Sequence, residues 1–234
     1  MSKTIYSDAT YLSQNRTWHE EDSPYKVRQI AKLVERNRLH FASLADIGCG
    51  AGLVAELLAR QYPKATVNGY DVSDDAQTFW AKRDAPNLEF FHADYARSGR
   101  RYDLATCLDV FEHVEDYYGF IRSVSAHSDH IIFNIPLDMS VIKLISPGIR
   151  RARETVGHLH YFNRYTALQT LQDCGLEVVD SFLANPFFQT LPRNPLQVVL
   201  ALPRMALALI SKRLCATLLG GHSLMVLARP ARRG

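Results

Sequence analysis

Along the first two thirds of the chain, short continuous apolar runs alternate with stretches whose apolar residues have helical spacing. Short apolar runs at 44–47, 65–70, 88–91, 102–108 and 130–135 predict five β-strands. Stripes with helical spacing predict helices over about 24–39, 53–62, 74–83 and 114–126. Strands that alternate with helices are typical of a parallel sheet covered by helices on both faces. The pattern therefore predicts an α/β fold.

The spacing changes toward the C-terminus. A helix is predicted over 165–173, a sixth strand over 176–183 and a last strand over 223–228. Between the last two strands, residues 184–220 form an apolar, proline-containing segment that we interpret as a helical insertion. Residues 1–23 are polar and aromatic and form an N-terminal arm. The 234 residues suffice for a single domain, 1–234.

Composition limits the classes of function. The chain is 47% hydrophobic and 22% charged, with a formal net charge of +3 and scattered basic residues, which argues against a nucleic-acid partner. Its four cysteines are far apart and form no C-x-x-C pair, which argues against structural zinc and for a reducing compartment. The N-terminus is polar, and no 18-residue apolar run occurs. We therefore expect a cytoplasmic protein.

Acidic residues follow three successive predicted strands. Asp46 ends the first strand and precedes glycines at 48, 50 and 52, which allow close approach of the backbone to a ligand. Asp71 ends the second strand, where a carboxylate can accept hydrogen bonds from ribose hydroxyls. Asp94 follows the third strand and can accept from an exocyclic adenine amine, with the Tyr95 ring nearby. Open α/β sheets bind ligands at this edge.

The glycine pattern leaves alternatives open. A tight strand–helix turn without a ligand is one of them, and a nicotinamide dinucleotide site in an oxidoreductase is another. The dinucleotide pattern is G-x-G-x-x-G, whereas the glycines here run G-x-G-x-G and Leu53 occupies the third dinucleotide position. The spacing therefore favours an adenosyl ligand whose amino-acid end meets the turn.

Residues 46–52, Asp71, Asp94 and 108–114 together resemble the successive motifs of class I S-adenosylmethionine-dependent methyltransferases. The resemblance is strongest to the small-molecule branch, which includes ubiquinone-biosynthesis and polysaccharide-associated enzymes. It implies a Rossmann-like seven-stranded sheet, mostly parallel with an antiparallel last strand, and S-adenosyl-L-methionine as cofactor. It also implies a set of cofactor-binding residues, namely Asp46, Ile47, Gly48, Cys49, Gly50, Asp71, Val72, Asp94, Tyr95, Leu108 and Asp109.

Three histidines are candidates for the base that an oxygen or nitrogen nucleophile needs. His113 follows the fourth strand, and His158 and His160 follow the fifth; we place His160 first. A divalent metal held by Asp109, Glu112 and His113 is an alternative. Glu112 and His113 are adjacent, and adjacent side chains on a helix do not converge, so we predict no metal.

The expected reaction is methyl transfer to a small-molecule or carrier-linked acceptor, more specifically O-methylation of a sugar, polysaccharide or quinone-like precursor. A non-catalytic S-adenosylmethionine-binding module stays open as a rival. A nucleic-acid methyltransferase is disfavoured because the Asn134–Leu137 stretch only partly resembles the amino-methylating motif Asn-Pro-Pro-Tyr.

Two segments have two interpretations each. The N-terminal arm either folds over the cofactor as a lid, through Trp18 and His19, or packs on the surface. The insertion either covers the substrate pocket or makes peripheral contact with a membrane through residues 190–218, where Arg204, Lys212 and Arg213 lie among apolar residues.

Overall fold

A computed structural model describes residue 18 and the ranges 20–185, 199 and 201–231. Seven strands form one sheet in the order β3-β2-β1-β4-β5-β7-β6. Their bounds are β1 Ser43–Ile47, β2 Thr66–Asp71, β3 Leu88–His92, β4 Tyr102–Leu108, β5 Ser128–Pro136, β6 Leu176–Ala184 and β7 Ser223–Pro230. Strands β1 to β5 pair in parallel, and β7 runs antiparallel to both β5 and β6. The predicted α/β sheet with an antiparallel last strand is confirmed.

Nine α-helices are present in the described ranges. They are α1 Ser23–Arg36, α2 Leu53–Gln61, α3 Asp74–Gln77, α4 Tyr117–Ala126, α5 Val141–Leu144, α6 Gly148–Arg151, α7 Arg164–Asp173, α8 Ala201–Ile210 and α9 Lys212–Leu218. Pro24 lies in the first turn of α1, where its missing N–H is not needed. Asn163 and Thr166 form a capping box that fixes the start of α7. None of the described helices is long and apolar enough to cross a membrane.

The prediction of a single helix over 74–83 is wrong. The chain forms the short helix α3 and then a 3-10 turn, Trp80–Lys82. Two side chains of this segment bond to the glycine turn, because the Trp80 indole donates to Gly50 O and the Arg83 Nε donates to Ala51 O. These long-range bonds hold the segment in a path that a continuous helix does not follow.

The insertion contains two helices, α8 and α9, within its described part. Most of the N-terminal arm, including His19, lies outside the described residues, and so do residues 186–198 and 200 of the insertion. The expectations for those residues stay predictions.

The sheet is buried on both faces. One face packs against α4 and α7 through Ile121, Val124 and Leu171, and the other packs against α1 and α2 through Ile30 and Leu58. The central strands therefore consist of apolar residues on both sides, as expected for a parallel sheet between two helical layers.

We expect Phe133→Ala to reduce the free energy of unfolding by about 3–5 kcal/mol. Phe133 lies on the central strand β5, is fully buried and packs edge-on against Phe111, so its removal leaves a cavity. Val179→Ala, at an exposed position of β6, is the control and should cost less than about 1 kcal/mol. Denaturant titration measures both, and equal losses would contradict the assignment of Phe133 to the core.

Candidate active site

A cleft of about 480 Å³ opens at the carboxyl ends of β1, β4 and β5. Asp46, Asp109 and Asn134 line it from these three strands, and Trp18 and Lys26 line it from the N-terminal side. Its volume is in the range of small-molecule sites. The cleft therefore lies at the edge where the sequence predicts ligand binding.

The turn between β1 and α2 requires glycine at position 50. Gly50 has a positive φ of 52°, and a Cβ there would lie 2.5 Å from Nε1 of Trp18. The Trp18 indole thus rests directly on the turn, at a distance that only a residue without a side chain permits. This placement brings Trp18, one residue of the N-terminal arm, to the cleft.

Three neighbours hold the turn in place. The Gly50 N–H donates to Asp71 Oδ2 at 2.8 Å, and the Trp80 and Arg83 bonds described above hold the carbonyls of Gly50 and Ala51. Arg83 is almost buried and also forms ion pairs with Glu20 and with Glu56. Neither Trp80 nor Arg83 belongs to a recognisable sequence motif, so neither is among the predicted site residues.

Asp46 places a buried carboxylate beneath the turn. Only 2% of the residue is exposed, and its Oδ1 accepts a hydrogen bond of 2.6 Å from the Thr106 hydroxyl. Its Oδ2 has no hydrogen-bond partner among the described residues. Burial raises the pKa of Asp46 to about 6, although the Thr106 hydroxyl and the Lys26 ammonium lower it. The free oxygen is an acceptor that a bound cation or donor can satisfy.

Asp109 lies at the end of β4 in a conformation that is rare for a residue with a side chain. Its φ is 57°, and two contacts hold it there: Lys26 Nζ lies 2.7 Å from Oδ2 and Asn134 Nδ2 donates to Oδ1 at 2.8 Å. Such backbone strain is concentrated at functional sites. Burial alone would lower the pKa of Lys26, but Asp109 outweighs it and raises that pKa. The sequence analysis did not identify Lys26.

Two of the three candidate histidines line the cleft. His158 Nδ1 lies 2.5 Å from Asp138 Oδ2, and Asp138 also pairs with Lys143. Burial opposes ionisation of Asp138, but His158 and Lys143 outweigh it and lower the Asp138 pKa to about 2. His113 packs edge-on against His158, with ring centroids 4.8 Å apart. Burial, together with His158, lowers the pKa of His113 to about 4, so its ring is neutral at pH 7.

His160 lies outside the residues that line the cleft. Its Nε2 is 3.0 Å from the carbonyl of Val114, and its ring packs on Tyr117 at 4.3 Å between centroids. These contacts give His160 a structural role between the loop after β5 and the start of α4. Its catalytic role stays a prediction, and the geometry favours His158.

The residues predicted to hold adenosine lie at or after the ends of β2 and β3, and none of them is among the residues that line the cleft. Asp71 accepts from Gly50 N and, through Oδ1, from Ser73 N, and Val72 beside it is 70% exposed. Asp94 is half exposed and accepts from Ala96 N. The Tyr95 ring is buried in the core, and its hydroxyl is bonded to the His127 carbonyl and to Ser128.

The remaining predicted residues surround the turn. Gly48, Cys49 and Leu108 line the cleft, whereas the side chain of Ile47 points into the core. Burial raises the pKa of the Cys49 thiol, with Asp46 and Asp71 adding to the effect, so this thiol stays protonated. Ile47 can therefore contribute only its main chain to a ligand.

Glu112, His113 and His158 could hold a metal ion. One ligand atom from each lies within 4.8 Å of the others, the one such group in the part of the chain that the structure describes. The geometric argument against convergence of Glu112 and His113 is wrong, because they lie on a 3-10 turn with Glu112 Oε1 3.9 Å from His113 Nε2. Neither carboxylate oxygen of Glu112 has a hydrogen-bond partner among the described residues of the chain. Burial raises the pKa of the Glu112 carboxyl group.

The chain matches a protein-family model and is similar to several curated proteins. A family model described as a methyltransferase domain matches residues 18–181. A ubiquinone biosynthesis O-methyltransferase of Rickettsia canadensis is 24% identical over 127 residues, which are 48% of this chain and 54% of that protein. One from Coxiella burnetii is 28% identical over 110 residues, 44% of this chain and 45% of that protein. The chain thus spans about half the length of the curated relatives it matches.

Solved structures share the fold. A magnesium protoporphyrin IX methyltransferase from Synechocystis with bound SAH has a TM-score of 0.58 and 19% identity, and the alignment covers 94% of this chain and 86% of that one. The N-methyltransferase NodS from Bradyrhizobium japonicum, in complex with S-adenosyl-L-homocysteine, has a TM-score of 0.59 and 17% identity, with 96% and 100% covered. At these identities the likeness supports the fold alone.

We expect Asp46→Asn to stabilise the ligand-free protein at pH 8 by up to about 3 kcal/mol, since the Asp46 pKa rises by about two units on folding. A raised carboxyl pKa means that ionisation disfavours the folded state, so the gain should be small near pH 4 and complete above about pH 6. Asn retains an oxygen for the Thr106 hydroxyl. Thermal unfolding at pH 5 and pH 8 measures the difference, and a gain independent of pH would refute the assigned titration.

Proposed function

Because this chain belongs to the methyltransferase domain family, we propose that it is a class I S-adenosylmethionine-dependent methyltransferase that methylates a hydroxyl group of a small or carrier-linked acceptor. The observation that carries the choice of a hydroxyl is the His158–Asp138 pair, which lies in the same cleft as the glycine turn. A hydroxyl must lose its proton as its oxygen attacks, and an imidazole oriented by a carboxylate is suited to accept it.

The cleft fits S-adenosylmethionine by the chemistry of its donors and acceptors. The unpartnered Oδ2 of Asp46 would accept from the ammonium of the methionine end. An ionised carboxylate offers about four acceptor positions, so Asp71, with two in use, could also bind the ribose hydroxyls. Val72 would cover one face of the adenine, and Asp94 would accept from its amine. Tyr95 would contribute only its main chain.

The cofactor supplies a methyl group on a sulfonium, a good leaving group, so the protein chiefly aligns the reactants and excludes water. Trp18 would shield the turn from solvent, since its indole already lies against Gly50. Lys26 and Asn134 would keep Asp109 in its strained conformation beside the reacting centre. These side chains act by position rather than by bond formation.

His158 is the proposed base. Asp138 is ionised at pH 7 and therefore accepts from His158 Nδ1–H, which selects the tautomer whose neutral ring carries its lone pair on Nε2. Nε2 would take the hydroxyl proton of the acceptor. His113 would pack the ring of His158 in place as a neutral neighbour.

An aromatic or quinone-like hydroxyl is the acceptor we propose first, with a sugar hydroxyl second. Apolar side chains of Leu108, Leu137, Val156 and Met225 line the cleft and suit a flat ring. Relatives that are named ubiquinone biosynthesis O-methyltransferases support the same class. The rival is a non-catalytic cofactor-binding module, which lacks turnover.

Calorimetry with S-adenosylmethionine tests the shared premise, and absence of binding at millimolar cofactor would exclude both the enzyme and the module. Transfer of a labelled methyl group to phenolic, prenylated phenolic, sugar and amine acceptors then separates the two. Labelling of a phenolic acceptor supports the proposal. Labelling of amines alone would overturn the O-methyltransferase assignment, and cofactor binding without any transfer would favour the module.

We expect His158→Gln to lower kcat by roughly 100-fold or more while cofactor affinity changes little, because a lost general base typically costs about 10²–10⁴ in rate. His160→Gln is the matched control and should stay near the wild-type rate, since its ring lies outside the cleft. Cofactor affinity measured by calorimetry should stay near the wild-type value in both variants, which separates loss of the base from loss of the fold.

A larger loss in His160→Gln than in His158→Gln would return the catalytic role to His160. Assays with and without a chelator complete the test. Activity that disappears with the chelator and returns with a divalent cation would assign His113 and His158 to metal binding and would contradict the general-base role.

A further inference from the structure

Helix α8 buries a charged side chain and exposes apolar ones, which is the reverse of an ordinary surface helix. Arg204 is its one fully buried residue, only 7% exposed, and its guanidinium donates from Nε and Nη2 to the carbonyl of Leu219. Leu202, Met205 and Leu209 lie at helical spacing on the outer side, 75%, 47% and 89% exposed. A soluble helix normally places its apolar stripe inward and its charges outward. The apolar stripe of α8 therefore faces out of the domain.

The exposed apolar surface continues beyond α8. Ile210 follows at the end of the helix, and Leu144 and Ile145 are exposed at the end of α5. Helix α9 packs against both α8 and α5, so the three helices adjoin at one end of the molecule. We call the exposed apolar side chains of these helices the apolar face; they are Val141, Leu144, Ile145, Leu202, Met205, Leu209, Ile210, Leu214 and Leu218. Many exposed apolar side chains on adjoining helices mark an interaction surface.

The charged side chains on α5, α6, α8 and α9 are all basic, although Arg150 of α6 pairs with Glu154 of the turn that follows. No acidic residue occurs in the sequence after Asp180, and none occurs between Asp138 and Glu154. Lys212 and Arg213 are exposed on α9, and Arg150 and Arg151 lie on α6. The surface thus combines protruding apolar side chains with basic side chains, the combination found in helices that lie in a membrane interface.

The apolar face adjoins the mouth of the active-site cleft. Lys143 of α5, Arg204 of α8 and Gly221 after α9 all line the cleft. Gly220 packs so closely on Ser140 that a Cβ there would lie 2.6 Å from its hydroxyl oxygen, which ties the end of α9 to the start of α5. A ligand that enters beside these helices would pass the apolar face.

We propose that the apolar face docks this protein on the surface of a lipid bilayer that contains anionic headgroups. The apolar side chains would enter the acyl boundary while Lys212, Arg213 and the arginines of α6 contact the headgroups. A protein partner is a poorer match, because single side chains that are 80–90% exposed, such as Leu209 and Ile210, protrude rather than form a flat patch. This inference does not depend on methyl transfer.

Vesicle sedimentation tests the proposal with the full chain. Wild-type protein should sediment with vesicles of phosphatidylcholine plus phosphatidylglycerol, and much less with phosphatidylcholine alone. The double variant Leu202→Gln/Leu209→Gln should lower the vesicle partition coefficient by roughly tenfold or more. The control is Val179→Gln on β6, an exposed apolar position that does not belong to the apolar face, and it should bind vesicles as the wild type does.

A second variant tests the charge. Lys212→Gln/Arg213→Gln should remove most of the preference for anionic vesicles while keeping weak binding. Thermal unfolding and calorimetry with S-adenosylmethionine should be unchanged in all variants, which separates loss of membrane binding from misfolding and from failure of the proposed enzyme function.

Three outcomes would overturn the proposal. One is a wild-type protein that does not sediment with anionic vesicles. Another is equal binding by the Leu202→Gln/Leu209→Gln variant and the wild type. The third is a wild-type dimer that ignores vesicles and that the same double variant dissociates in light scattering, which would assign the apolar face to a second copy of the chain.

Discussion

The close approach of backbone and indole at Gly50 is the constraint on which the rest of the site depends. Because Gly50 has no side chain, the Trp18 indole can lie against the turn. The N–H of Gly50 donates a hydrogen bond to Asp71. The carbonyl of the same residue accepts from Trp80. One residue therefore connects the N-terminal segment, the first two strands and the turn after α3. A side chain at position 50 would disturb all of them together, because the positive φ is strained for any other residue.

Electrostatics adds a second constraint, because several carboxylates surround one cleft. Asp46, Asp109 and Asp138 line it, while Lys26 and Lys143 are the ammonium groups that pair with the latter two. Asp46 has no such direct pair among the described residues, and burial raises its pKa more than the neighbouring Thr106 hydroxyl and Lys26 ammonium lower it. A buried carboxylate with a free oxygen favours a cationic ligand over an anionic one. The glycine turn and this unsatisfied charge together suit a ligand with an ammonium and a sulfonium better than a pyrophosphate.

The sequence predicted what depends on local spacing and failed where distant side chains meet. All seven strands and the glycine turn follow from short-range periodicity and from the conformational freedom of glycine. The pairs Lys26–Asp109 and Asp138–His158 join residues from separate elements, and no motif records them. The rule that acidic residues follow strands could have identified Asp138, since it comes shortly after β5. The helix predicted over 74–83 breaks for the same reason, because its side chains bond to a distant turn.

Helix α8 shows that a sequence pattern can identify an apolar stripe without showing whether that stripe faces the core or the outside. Helical periodicity of apolar residues identifies the stripe, but the same periodicity is found whether the protein core or a lipid bilayer covers it. Here the Arg204 guanidinium points inward and donates to the Leu219 carbonyl at the end of α9, where helix carbonyls have no partner within the helix. Exposing leucines to water while burying an arginine disfavours the isolated fold on both counts. The proposed bilayer surface would cover these leucines, and because Arg204 also lines the cleft, the same helix would link that surface to the cleft.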